Sequence, residues 1–132
     1  MNNIEIIFFE EYKKLDNLCK DLLGSNQGVT QYVNEMEQIP FEKSKLVESW
    51  QYDYKMLKHI RWIRNNIAHN NGDSECSESD VQYVKNFYQR IINRTDSFSL
   101  INVEIRKAED NQASKNITNE NIAYFCFNNR GH

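Results

Sequence analysis

Proline, glycine and long apolar runs are all scarce in this sequence, and each scarcity excludes something. One proline and four glycines in 132 residues leave room for long uninterrupted helices. No run approaches the roughly 18 apolar residues that a membrane-spanning helix needs, so no membrane partner is expected. The N-terminal "IEIIFF" is broken by Glu5 and followed by acids, with no basic leader and no small-residue cleavage site, so it does not read as a signal peptide. Three cysteines, Cys19, Cys76 and Cys126, are odd in number, widely spaced and never arranged as CxxC. That pattern argues against a disulfide framework and a zinc site, and the expectation is free thiols in a reducing, cytoplasmic compartment. No glycine-rich phosphate loop, HExxH or nucleophile elbow is present, so no metal and no cofactor is expected.

Acids are also missing where they would matter most. The formal net charge is −3, but its distribution is uneven. Residues 1–53 carry 5 basic and 10 acidic side chains, residues 54–72 carry 4 and 0, and residues 73–132 carry 7 and 9. A local cationic field on an acidic body attracts phosphate while limiting non-specific adhesion. A solvated basic face is the plainer explanation of the same stretch.

What is abundant is helical periodicity. Ile4, Ile7, Phe8, Leu15, Leu18, Cys19 and Leu22 recur at helical spacing, and Gly24 with Ser25 and Asn26 stops the run. A shorter helix is expected from Thr30 as N-cap to Ile39, before Pro40. A third, from about Ser44 to the "NNG" at 70–72, places Leu46, Trp50, Tyr54, Leu57, Ile60 and Ile67 on one stripe. Ser77 and Asp80 form a capping box that opens a fourth helix through Val81, Val84, Phe87, Tyr88, Ile91 and Ile92 to about Arg94. The expected fold is all-α, a bundle of four main helices over residues 1–95. Residues 96–132 read as a C-terminal extension. In it "SFSLINVEI" alternates like a strand or extended arm, "IAYFCF" is apolar, and both either dock on the bundle or form an irregular tail.

The chemistry concentrates in "RWIRNNIAHN", residues 61–70. At about 100° per residue, Arg64 falls within the apolar stripe, an unusual place for a guanidinium. Asn65 and His69, at i and i+4, share a second face with Lys58, Arg61 and Trp62. Each has a structural explanation. A stripe arginine is ordinarily paired with a carboxylate from another helix, a last-turn histidine interacts with the helix dipole, and Trp62 packs.

The segment "RNNIAH" at 64–69 resembles the R-x4-6-H signature of HEPN domains, helical bundles of prokaryotic toxins, abortive-infection proteins and RNA-targeting CRISPR effectors. In that pattern a polar residue, often Asn, follows the arginine, and Asn65 matches. The surrounding "LKHIRWIRNNIAHNNG", late in a long helix and followed by another amphipathic helix, resembles the family's context over roughly residues 1–95. The resemblance implies an HEPN-like bundle and a metal-independent endoribonuclease in which the ribose 2′-hydroxyl attacks the adjacent phosphate. It implies catalytic roles for Arg64, Asn65 and His69. A neutral imidazole suits proton abstraction, and a fixed guanidinium suits charge building on phosphate. Lys58 and Arg61 would bind RNA, and Trp62 would stack a base.

On a straight helix Arg64 and His69 project about 140° apart, so one phosphate does not reach both. HEPN proteins resolve this by pairing motifs from two subunits, which implies a homodimer. Two rivals remain: a non-catalytic HEPN-like module that binds RNA or a partner antitoxin protein, and a plain helical interaction domain with Arg64 in a structural ion pair.

Overall fold

A computed structural model describes residues 1–69 and 75–119. Among them there are six helices and no strand: α1 (Asn3–Leu23), α2 (Val29–Gln38), α3 (Phe41–Ser44), α4 (Trp50–Ala68), α5 (Glu78–Ile92) and α6 (Ser97–Asn119). The all-α expectation holds. The division into four helices with an irregular or short-β extension does not, because α3 and α6 are added.

Helix α1 begins with a capping box in which Asn2 and Glu5 exchange side-chain and backbone hydrogen bonds. It ends at Gly24, whose φ of 59° supplies the left-handed cap that the sequence implied. Phe8, Tyr12, Leu15 and Cys19 are its buried face. They pack chiefly against α5, where Val81, Val84, Phe87 and Ile91 are buried at the same helical spacing. The Ser77–Asp80 capping box opens α5 as expected.

Two helix starts differ from the sequence reading. Helix α2 is capped not at Thr30 but at Gly28, and the backbone N–H of Val29 donates to Asp16 Oδ1 of α1 at 2.8 Å. A Cβ on Gly28 would stand 2.1 Å from that same oxygen, and φ is +57°. Only glycine lets α2 begin so close to α1. The long third helix expected from Ser44 is in fact α3, a tight turn and then α4. Between them Leu46 N–H donates to Lys43 O, Val47 to Ser44 O and Trp50 to Val47 O, bonds of 3₁₀ spacing that bend the chain. The bend buries Val47 and Trp50 and turns Leu46 outward.

The strand or arm expected at "SFSLINVEI" is the start of α6. Asp96 begins it: Leu100 N–H donates to its carbonyl, and Ser99 Oγ donates to its carboxylate. The hydroxyl of Tyr32 on α2 donates to that carboxylate as well, and accepts the backbone N–H of Phe98. Phe98 then lies edge-on to both Tyr32 and Trp50, and Ile101 is fully buried. Phe98, Ile101 and Ile105 sit at i, i+3 and i+7, so the helical period wins over the local alternation. The apolar "IAYFCF", the "NNG" signal and Cys126 lie outside the described residues.

A buried charge cluster joins the later helices. Asp53 of α4 is 0% exposed. It accepts two bonds from Arg90 of α5 at 2.9 and 2.8 Å, one from the Tyr83 hydroxyl at 2.7 Å, and one from Ser97 of α6 at 2.8 Å. Burial by itself raises its pKa, but the hydrogen bonds from Arg90, Tyr83 and Ser97 outweigh that and hold the carboxyl below its ordinary value. The same contact raises Arg90 further.

Candidate nucleic-acid interface

Helix α4 carries every residue singled out in the acid-free stretch that lies within it, so its packing decides where each one points. Its buried side is Trp50, Asp53, Leu57, Ile60, Ile63 and Ile67, set against α1 and α2. Lys55, Lys58, Trp62 and Asn65 fall on the exposed side, and Arg61 and Arg64 on the half-buried boundary. His69 is the exposed C-cap, its N–H donating to Asn65 O at 3.0 Å.

The cations of this stretch lack acidic partners. Among the described residues, none of Lys55, Lys58, Arg61 and Arg64 makes an ion pair, whereas Lys14, Lys20, Lys45, Arg90 and Lys107 each do. Lys58 Nζ lies 4.7 Å above the Tyr54 ring. Arg61 reaches Thr30 Oγ1 of α2 at 3.5 Å. Arg64 stands over the Phe9 ring of α1, 5.7 Å from its centroid, and Nη1 donates to Asn65 Oδ1 at 3.3 Å. Positive charge is thus left available along one side of the helix.

Arg64 departs from the sequence reading in two respects: it stands at the half-buried edge of the apolar stripe and not within it, and no carboxylate pairs with it among the described residues. It lies near the end of α4, where its guanidinium escapes across Phe9 into a groove of about 230 Å³. Phe9, Tyr12, Lys13, Asp16, Asn17 and Lys20 of α1 line the rest of that groove. The motif is therefore brought together in part: Arg64 touches Asn65, and Asn65 shares a backbone bond with His69.

Trp62 is 47% exposed and does not pack in the core. Its indole faces His59 with ring centroids 6.3 Å apart and planes 20° from parallel. His59 itself escaped the sequence reading. Its Nε2 meets Asp80 Oδ1 at 3.0 Å, and the other oxygen of Asp80 accepts the N–H and hydroxyl of Ser77, each at 2.9 Å. Asp80 is 5% exposed, so a nearly buried carboxylate both caps α5 and fixes an imidazole of α4. The separation of 21 positions from His59 to Asp80 gave no spacing signal.

The two thiols among the described residues, Cys19 and Cys76, are poorly suited to nucleophilic work. Burial, with Asp16 adding to it, pushes Cys19 up to about 12. Burial and the nearby Asp80, Glu5 and Glu78 carboxylates push Cys76 up to about 11. Among the described residues no group of three or more His, Cys, Asp or Glu side chains is placed to hold a metal ion, and no helix is long and apolar enough to cross a membrane.

No curated protein and no solved structure matches the chain. A model built for a family of unknown function, DUF6548, matches residues 6–130, nearly the whole length and including both helices that carry the groove. The chain belongs to the DUF6548 family.

Proposed function

We propose that the protein is an RNA-binding endoribonuclease of HEPN type, with Arg64, Asn65 and His69 as its catalytic group and Lys58, Arg61 and Trp62 as RNA contacts. The observation that carries the reading is the row of cations on α4, none with a carboxylate partner among the described residues, beside an exposed amide and imidazole. Such a row costs stability through self-repulsion and is offset only by contacts with rings and a hydroxyl, not by opposite charge, which suits a surface meant for phosphate.

The chemistry follows from the side chains. His69 accepts the proton of a ribose 2′-hydroxyl, whose oxygen forms a bond to the adjacent phosphorus. Arg64, steered by Asn65, stabilises the charge that builds on the non-bridging oxygens. The bond from phosphorus to the 5′ oxygen breaks, and that oxygen takes up a proton from solvent. The products are a 2′,3′-cyclic phosphate and a free 5′-hydroxyl, and no step needs a metal. Arg64 turns toward α1 while His69 caps the C-terminal end of α4, so the proposal includes a two-fold homodimer in which two motifs share a cleft. Toxin or phage-defence work, with an antitoxin protein as partner in the cytoplasm, is the setting the resemblance suggests.

A second reading has an observation of its own. His69 is exposed and no side chain orients it among the described residues, whereas working bases are usually held by a partner. A module that binds RNA without cutting fits that fact. Incubating the pure protein with total RNA in EDTA, beside His69→Ala, separates the two. Cleavage by the wild type alone, leaving 5′-hydroxyl ends, supports the enzyme. Binding without cleavage, together with a dimer by light scattering, supports the binding module.

A further inference from the structure

The groove beside Arg64 is built mostly from α1, a helix that the sequence motif does not include. Three cations border it: Arg64 from α4, and Lys13 and Lys20 from α1. Its single carboxylate is already engaged, since Asp16 Oδ1 accepts the Val29 N–H and Oδ2 lies 3.5 Å from Lys20. Lys13 makes no ion pair among the described residues. Tyr12 adds a donor. Burial, with Asp16 next, raises its phenol far above the ordinary value, while Arg64 and Arg61 oppose the shift only in part. The hydroxyl stays protonated and neutral.

We infer that this groove holds a phosphodiester of single-stranded RNA, with Lys13 and Lys20 on α1 gripping the backbone opposite Arg64. The inference rests on the proposed RNA reading and adds α1 to the surface that recognises the strand. Lys13 and Arg64 have no carboxylate partner among the described residues, and three cations face one carboxylate, so the groove is net positive and suits an anion. The Arg64 guanidinium stands over the Phe9 ring, so a cation lies on the apolar wall of the groove. A volume of about 230 Å³ takes a phosphate with its sugar but not a protein helix, which is about 10–12 Å across. Continuity points the same way, since Arg64 lines the groove and also donates to Asn65 Oδ1, so the groove adjoins the proposed reacting group.

The test measures binding of a fluorescent single-stranded RNA to the full chain carrying His69→Ala, so that substrate is not consumed. Lys13→Glu is compared with Lys43→Glu, an exposed lysine of α3 that gives the same change in net charge. Lys13→Glu is expected to weaken binding about tenfold and to make the salt slope shallower by about 0.7, one phosphate contact on a single strand, with Lys43→Glu below about threefold. Should charge reversal at Lys13 lower the melting temperature, Lys13→Gln replaces it in the same comparison. Equal effects at Lys13 and Lys43, with Lys58→Ala still weakening binding, overturn the groove and leave the RNA reading standing. Absence of RNA binding by the parent at low salt overturns both.

Discussion

The two ends of α4 treat charge in opposite ways. Near its start, Asp53 is fully buried and accepts four hydrogen bonds from Arg90, Tyr83 and Ser97. Toward its end, Arg61 and Arg64 are half-buried, Asn65 and His69 are exposed, and no carboxylate answers the cations among the described residues. One end joins α4 to α5 and α6; the other presents chemistry to solvent. The contrast predicts that stability and the proposed function are separable along this helix, because the groups that the proposed reaction needs lie outside its buried side.

The sharpest way to break the contrast is to attack the buried end. Asp53→Ala leaves Arg90 without its partner, and Arg90→Ala leaves a buried carboxylate uncompensated. Each is expected to cost about 3–5 kcal/mol in urea denaturation, a large part of a small domain's stability. RNA cleavage by whatever fraction remains folded should persist. Loss of cleavage in a fully folded Asp53 variant would show that the two ends are coupled.

Acid titration sharpens the same point without a mutation. Asp53 has a pKa below its unfolded value, so its contribution is fully present above the ordinary carboxylate range. It is lost as pH falls below about 4, through the folded value, because the unfolded chain then binds the proton more readily. Thermal melts between pH 3 and 6 should show the wild type losing stability toward the acid side more steeply than Asp53→Asn does. Equal slopes would mean that the buried carboxyl titrates alike in both states.

These expectations mark where the sequence was legible. The C-terminal end of α1 and the start of α5 could be read, because Gly24 and the Ser77–Asp80 box act within a few residues of themselves. The cationic face of α4 could be read because nineteen residues without an acid form a pattern visible along the chain. Asp53 could not. Its partner Arg90 lies 37 residues away, and a charge at helical spacing among Trp50, Leu57 and Ile60 looks like a surface residue until that partner is in place. Helix α6 was hidden similarly, since what secures its first turn is a contact between Asp96 and Tyr32, 64 residues apart. His59 and Asp80, and the wall of α1 facing Arg64, also arise only from tertiary packing.

Arg64 is the intermediate case. Read as a stripe residue with a buried partner, its loss would cost about 3 kcal/mol. The contact it makes is with the face of Phe9, and its guanidinium borders an open groove, so Arg64→Ala is expected to cost only about 1 kcal/mol while removing activity. A cost of 3 kcal/mol or more by chemical denaturation would place it on the structural side of the helix with Asp53.

The smallest expected effect on stability carries the most weight. His69→Ala and Asn65→Ala change exposed side chains near the C-terminal end of α4, where substitutions shift stability by about 0.5 kcal/mol or less. The most direct measurement is urea denaturation of His69→Ala with RNA cleavage assayed in EDTA on the same sample. The account predicts an unfolding midpoint close to that of the wild type and no cleavage. A folded His69→Ala protein that still cuts RNA at the wild-type rate would contradict it.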